Sequence, residues 1–349
     1  MTENDHKSDM GFASVPAVQQ YLDMAASRGV DCTRALQEAG ISAHTMADSN
    51  KRVPGASLQK LLAVIIPQTN DPCFGLHTSA FIKPAFYGVL GYIAMNCSTL
   101  GEALAKTPVY EKIVGDMGYT TTRNSAEAVW VHWHCNFDQP LVRRHVIENV
   151  LSSWTRYVRW ITGEFDKSPR KVCFEHSAPA PEWIPEYEAV FNCPVLFDQP
   201  CSALQVDYEY LEQPIRQADT QLLKTLEDHA TDILSEIDKD QPLKYRVSNL
   251  LRLMVKKELP RKELIAEKLG MNIRTLQRRL REEGTGYQEI LDDLRQELAR
   301  NYLENSRLSI DEISALLGFA EPRSFHRSFK KWVGVTPGAY RSESSFQAH

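Results

Sequence analysis

A phrase near the C-terminus is written twice, and it constrains this chain more than any other feature. The first copy is Leu269-Gly270, three residues, then Arg274-Thr275-Leu276-Gln277-Arg278-Arg279-Leu280. The second is Leu317-Gly318, four residues, then Arg323-Ser324-Phe325-His326-Arg327-Ser328-Phe329. Both reduce to an apolar-Gly turn followed by Arg-[Ser/Thr]-apolar-x-Arg-x-apolar. Glycine closes a helix in left-handed backbone without strain, and the apolar spacing turns a second helix onto the first. The pattern predicts two helix-turn-helix units, Lys262 to Leu269 with Arg274 to Glu283, and Ile310 to Leu317 with Arg323 to Trp332. Leu264, Leu269, Ile273, Leu276 and Leu280 are the expected apolar contacts of the first. Ile313, Leu316, Phe319, Phe325 and Phe329 are those of the second.

The charge distribution gives the phrase its context. The whole chain of 349 residues carries a net charge of -5, which spread evenly would argue against nucleic acid. Residues 241–349 hold 20 Lys and Arg against 14 Asp and Glu, a net of +6, whereas residues 1–240 hold 20 against 31, a net of -11. An acidic body joined to a basic end points to nucleic-acid contact at the basic end. The side chains left exposed on the second helix of each pair form the expected reading face. These are Arg274, Thr275, Gln277 and Arg278, then Arg323, Ser324, His326 and Arg327. Near a helix N-terminus such groups reach base edges in the major groove, where Arg suits guanine and Gln suits adenine. Arg279, Arg281, Lys330 and Lys331 lie further along and are expected to meet phosphates. Solvation of ordinary exposed helix faces is the competing explanation; two in-phase copies inside the basic region weigh against it.

The length suggests two or three domains. From residue 15 to 66 and from 85 to 106 the text is mainly helical, and Ala94 to Ala105 carries Ser98 as a candidate cap with Glu102 nearby. Val129, Val131, Trp133 and Cys135 then alternate with Trp130, His132, His134 and Asn136, which is a strand. Helical spacing returns from Leu141 to Ile161. Lys171 to His176 and Val195 to Phe197 read as further strands around a short helix near Glu186 to Phe191. The expected fold class is therefore an α+β N-terminal domain, helices plus a small antiparallel sheet, over 1–235. A linker over 236–243, an all-α domain over 244–342 and a disordered tail over 343–349 complete the expectation. In the basic domain Val247 to Leu259 is a helix, and Tyr287 to Glu304 is a long connector with Ile290, Leu294, Leu298 and Leu303 along one stripe.

Seven widely spaced cysteines without a C-x-x-C pair fit reduced thiols, and the polar stretch Met1 to Met10 lacks the apolar core of a signal peptide. Together with the absence of a membrane-length apolar run, this predicts a cytoplasmic protein. Enzyme motifs fail: Gly101 to Lys106-Thr107 lacks the second Gly of a phosphate-binding loop, and neither G-x-S-x-G nor H-E-x-x-H occurs. No cofactor is expected.

With these residues in hand, a family resemblance is plain. Residues 244–342 resemble the DNA-binding domain of the AraC/XylS transcription regulators. It is carried most specifically by Ile310-Asp311-Glu312-Ile313, Leu317-Gly318-Phe319, Phe325 to Trp332, Gly334-Val335-Thr336-Pro337 and Tyr340-Arg341. Ser314 departs from the Ala usual in the family, at a tight helix contact. The resemblance implies seven helices and two helix-turn-helix units joined by a rigid central helix. It also implies insertion into successive major grooves, roughly 34 Å apart, on one face of double-stranded promoter DNA. RNA polymerase, a small-molecule effector and a second copy of the chain are the other partners it implies.

The acidic part is similar to the N-terminal domain of the ornithine-utilisation branch of that family. Asp71 to Leu76, Phe86 to Tyr92, Ser98 to Leu104, Phe174 to His176 and Phe191 to Val195 carry the likeness. That domain bears the label arabinose-binding, yet the sequence lacks the β-rich pattern of a sugar-binding jelly roll, so arabinose is not carried over. Tyr87 and Tyr92, with Phe86, are candidates to stack on an effector, against plain core packing. Trp130, His132 and His134 are candidate pocket residues on one strand face, against a solvent-facing strand. Two histidines without a third ligand make no metal site. His145 with Arg143 and Arg144 could bind a carboxylate, against a solvated helix face. The rival for the whole domain is a dimerisation or protein-interaction module without a small ligand.

Overall fold

The computed structural model describes residues 10–239, 241–254, 261–305, 308–319 and 321–346. The chain divides into two compact units, Met1–Ala230 and Thr231–His349. Residues 1–9, most of the stretch read for a signal peptide, lie outside the described residues.

In the first unit β1 (Phe12–Ser14) and β2 (Arg52–Pro54) form a two-stranded antiparallel ribbon. The main sheet has five strands: β3 (Gly118–Asn124), β4 (Ala128–Cys135), β5 (Lys171–Cys173), β6 (Val195–Leu196) and β7 (Ala203–Asp207), in the order β3-β4-β7-β5-β6. The expected alternation holds in β4. Val129, Val131, Trp133 and Cys135 are buried, while Trp130, His132 and His134 are half-buried on the other face. The sheet is antiparallel except that β5 and β6 run parallel. A parallel pair needs a crossover, and the helix Ile184–Phe191 supplies it.

The helix Pro140–Thr162 threads the core and stops at Gly163, which sits at φ +70°. Its Val142, Val146, Ile147 and Leu151 join the inner face of β4 and the helix Gly55–Gln68 in one cluster. Within the mainly helical stretch 85–106, helices run over Val89–Asn96 and from Leu100 on to Val114. The cap of the second is Thr99, not Ser98: Thr99 Oγ1 accepts from Glu102 N, and the Glu102 carboxylate in turn accepts from Ser98 N at 2.8 Å.

The second unit has seven helices among its described residues after the one ending at Ile237. They are Leu243–Met254, Lys262–Lys268, Ile273–Glu282, Tyr287–Asn305, Ile310–Leu316, Pro322–Val333 and Pro337–Phe346. The first was expected to reach Leu259, but residues 255–260 lie outside the described residues. The expected tail from 343 is helical as far as Phe346, and residues 347–349 are outside the description. Two separate cores share the long helix Tyr287–Asn305. Ile290, Leu291 and Leu294 close the first, Ala299 and Leu303 the second, and Leu298 packs against both.

Two expected core positions are corrected here. Leu264 is 38% exposed and Leu316 is 37% exposed. Their helices instead bury Ile265 with Ala266, and Ile313 with Ser314, and Leu317 is buried just past the end of the second. The inward stripe of a short helix is narrow, and one residue of rotation, about 100°, moves a leucine to its edge.

Candidate nucleic-acid interface

Each turn of the doubled phrase is built as its sequence requires. Gly270 stands at φ +66° and Gly318 at φ +70°. Asn272 caps the helix Ile273–Glu282, its side chain accepting from Thr275 N at 2.9 Å. Pro322 opens the corresponding helix of the second unit, a position that needs no N–H. Ser309 and Glu312 form a capping box ahead of Ile310–Leu316.

The reading-face residues fall where the repeat places them. Leu276, Leu280, Phe325 and Phe329 are buried, which turns Arg274, Arg278, Arg323 and Arg327 out to solvent. Thr275, Gln277, Ser324 and His326 are half-buried beside them, and Arg279, Arg281, Lys330 and Lys331 are exposed. The two copies differ in one respect. Arg278 is ion-paired with Glu282 at 2.7 Å, one turn on, whereas the residue one turn beyond Arg327 is Lys331. The first arginine is held along its own helix; the second has a like charge behind it.

Two basic residues escaped the sequence reading. Arg261 and Lys262, at the start of the helix Lys262–Lys268, line an open groove with Gln277 and Arg281. Three cations and two amides, Gln277 and Gln288, outweigh the one carboxylate of that lining, Glu263, and suit a phosphate backbone. The signal was available as an Arg-Lys pair opening the first helix, but sequence does not say which cations share a groove.

A third omission is Arg295. On the central helix it is 8% exposed, its Nε donates to Leu317 O at 3.0 Å and its Nη2 to Gly318 O at 3.2 Å. Its guanidinium lies 4.5 Å from the Phe319 ring centroid. A carbonyl pair and an aromatic face satisfy a planar guanidinium as they could not satisfy an ammonium. Ser314, the departure from the family pattern, is buried, and its Oγ has no hydrogen-bond partner among the described residues.

In the first unit the five candidate effector contacts do not meet at one cavity. Trp130, His132 and His134 stack along the outer sheet face, Tyr119 stacks on His134 at 4.6 Å, and Lys171 lies over Trp130. Burial holds the imidazoles of His132 and His134 below their ordinary values. No group of three potential metal ligands occurs among the described residues. Tyr92 is exposed, and Tyr87 packs edge-on against Tyr157.

Tyr87 lines a small cavity of about 80 Å³ with Gln20, Tyr21, Glu111, Asn149 and Ser153. A second cavity of about 120 Å³ lies between the helices Leu100–Val114 and Pro140–Thr162 and the inner face of β4 and β7. Neither is lined by the histidines.

The basic triplet around His145 does bind carboxylates, but they are the protein's own. Arg143 holds Glu175 at 2.6 Å and Arg144 holds the fully buried Glu148 at 2.8 Å. Glu148 Oε2 lies 3.0 Å from His145 Nδ1, and Tyr187 Oη donates to the same carboxylate. Burial pushes Glu148 upward, yet the hydrogen bond and charge of His145 with the charges of Arg144 and His176 outweigh it and bring the carboxyl down to about 2. Burial disfavours the thiolate form of the cysteines. All seven are free, and burial pushes Cys73, Cys97 and Cys135 up to about 12.

A paired helix-turn-helix unit with two outward arginine rows defines the class: a DNA-binding transcription regulator. Comparison with known proteins agrees. The model of the arabinose-binding domain of AraC transcription regulators, N-terminal, matches residues 29–215, and a helix-turn-helix domain matches 265–343. The chain belongs to the AraC family of transcription regulators.

It is 28% identical over 332 residues to the ornithine utilization regulator of Pseudomonas aeruginosa, covering 94% of this chain and 95% of that protein. It is 25% identical over 329 residues to the transcriptional regulator VirS of Mycobacterium tuberculosis, covering 92% and 94%. The solved structure of the transcriptional regulator CdpR from Pseudomonas aeruginosa aligns with 89% of this chain and 96% of its own, at 23% identity and a TM-score of 0.45. No helix among the described residues is long and apolar enough to cross a membrane.

Proposed function

We propose that this regulator sets the helices Ile273–Glu282 and Pro322–Val333 into adjacent major grooves of one promoter face, and that a small molecule held in the first unit controls the outcome. The observation that carries the first half is the single helix Tyr287–Asn305, which contributes to both helix-turn-helix cores and so holds the two reading helices on one scaffold. Arg274, Thr275, Gln277, Arg278, Arg323, Ser324, His326 and Arg327 read bases. Arg261, Lys262, Arg279, Arg281, Lys330 and Lys331 hold phosphates.

Effector control is supported by the family of the first unit and by its two partly enclosed cavities. In this reading the regulator works beside RNA polymerase, and a second copy occupies a second half-site. Hydroxyl-radical footprinting on a bound promoter tests the DNA half: protections one helical turn apart on one face are expected, and a single protected groove rejects it. Promoter output tests the control half. If output ignores every small molecule that the protein binds, the first unit is an assembly module instead.

A further inference from the structure

We propose that the cavity between the helices Leu100–Val114 and Pro140–Thr162 takes a small, uncharged, apolar ligand, an aromatic ring or a short acyl chain, and not an amino acid or a sugar. This rests on the reading of the first unit as an effector domain and narrows it.

The lining decides the ligand class. Val131, Leu204 and Val206 of the sheet form the floor, and Leu104, Trp154 and Ile161 stand in the walls. No Asp, Glu, Lys, Arg or His lines the cavity. An α-amino acid would bring a carboxylate and at least one ammonium into a space with no counter-charge, and a buried unpaired charge is strongly disfavoured.

A sugar would bring several hydroxyls that need partners. Thr107 already donates to Ala103 O at 3.1 Å, Thr155 to Leu151 O at 2.9 Å and Tyr157 to Gly91 O at 2.7 Å. Tyr210 is the remaining hydroxyl of the lining whose proton is not already committed, so the several oxygens of a sugar would find almost no side-chain donor. The neighbouring cavity shows the contrast. There Gln20, Glu111, Asn149 and Ser153 crowd a smaller space, with Asn149 bonded to Tyr21 and Ser153 to Asn149.

Size agrees with chemistry. The volume is about 120 Å³, and an apolar cavity of roughly 150 Å³ stays dry and accepts benzene. The location suits control as well. Leu100 N donates to Gln213 O at 3.1 Å, and Lys106, on the wall helix, is ion-paired with Glu227 of the helix Thr220–Ile237. The wall helix Leu100–Val114 thus touches the helix Thr220–Ile237, through which the chain leaves the first unit. A ligand that spreads these walls bears directly on that segment.

The test uses full-length protein with indole and benzene as apolar probes and L-ornithine and L-arabinose as polar ones, read by thermal shift and titration calorimetry. Ala103→Leu fills the cavity from one wall, and Ala94→Leu from another, so one misfolded variant does not end the test. The apolar probes are expected to bind saturably to the native chain, and each filling substitution that folds should weaken them at least tenfold. The polar probes should produce no shift. Apolar binding that survives both substitutions, no apolar binding to the native chain, or polar binding that the substitutions erase overturns the assignment. A promoter assay with indole keeps the two claims apart. Binding at the cavity without any change in output sinks the effector reading and leaves the site standing.

Discussion

Arg295 and Phe319 lie face to face, the guanidinium 4.5 Å from the ring centroid. The arginine belongs to the central helix and the phenylalanine to the turn of the second helix-turn-helix. Through this contact and its bonds to Leu317 O and Gly318 O, the helix fixes the turn that aims Arg323 and Arg327. The turn carbonyls of the second copy are thus capped from outside the phrase.

Removing that cap should be costly. Arg295→Ala leaves two carbonyls and a ring face without their partner and is expected to lower stability by about 2–4 kcal/mol. Arg295→Lys should recover less than half, because an ammonium cannot reproduce the planar two-donor geometry. Urea denaturation of the three proteins measures this, and equal stability of the lysine variant and the native chain would refute the geometric argument.

Base reading and phosphate holding should separate on the second reading helix. Arg327→Ala is expected to lose about 1–3 kcal/mol on the specific promoter and to relax preference at one base position. Lys330→Ala should weaken specific and random DNA alike and flatten the salt dependence. Titrations on both DNAs at two salt concentrations are the check; an Arg327→Ala loss that is the same on random DNA assigns that arginine to phosphate.

On the helix Ile273–Glu282, Glu282 is ion-paired with Arg278, and in the proposed complex it competes with DNA for that arginine. Exposed pairs of this kind contribute roughly 0.2–1 kcal/mol, so Glu282→Gln should tighten DNA binding about two- to fivefold at low salt. Unchanged or weakened binding would mean that Arg278 does not approach the duplex.

Ser314 offers a gain. Its hydroxyl is buried and unpartnered among the described residues, and such a group costs about 1 kcal/mol or more. Ser314→Ala should stabilise the second unit by about 1 kcal/mol and raise its melting temperature by a few degrees. Calorimetry showing a lower melting temperature would indicate that the hydroxyl is satisfied in solution.

The first unit should be sensitive to pH through Asp71 and His77, 2.8 Å apart. The hydrogen bond that His77 donates to the Asp71 carboxylate raises the imidazole, against burial. Burial raises the Asp71 carboxyl, but the His77 bond and charge, the Cys73 N–H and Arg28 bring it below its ordinary value. For His77 the folded value exceeds the unfolded one. Its contribution is therefore complete below about pH 6.5 and is lost as the pH rises through the raised value. For Asp71 the sign is opposite: its contribution is present above about pH 4 and is lost as the pH falls. His77→Gln should therefore flatten the decline in stability above pH 6.5, measured by denaturation from pH 5 to 9. A decline of unchanged slope would mean that another group is responsible.

Much of the basic domain was legible because its signals are local. Gly270 and Gly318 need left-handed backbone wherever they lie, and the spacing of Leu276, Leu280, Phe325 and Phe329 sets the outward direction of the arginines. Local spacing still misplaced Leu264 and Leu316, since a helix of seven residues has too few positions to define its buried face. The first unit was less legible. β3, written Gly-Tyr-Thr-Thr-Thr-Arg-Asn, shows no apolar alternation, and β7, Ala203–Asp207, is only five residues long. Tyr87 and Tyr92 on the one hand and Trp130, His132 and His134 on the other are candidates by residue type alone, and which of them borders a cavity depends on packing.

The sequence by itself determined the two helix-turn-helix units, the outward rows of cations and the polarity of the two halves. These follow from residue type and near-neighbour spacing, which the backbone converts directly into direction. Tertiary structure decided that Arg295 caps a turn more than twenty residues away, that Glu148 and Glu175 consume the cations beside His145, and that a cavity opens between two helices and the sheet. Each depends on residues that meet only after long loops have closed, and packing chooses those partners in ways that no local spacing encodes.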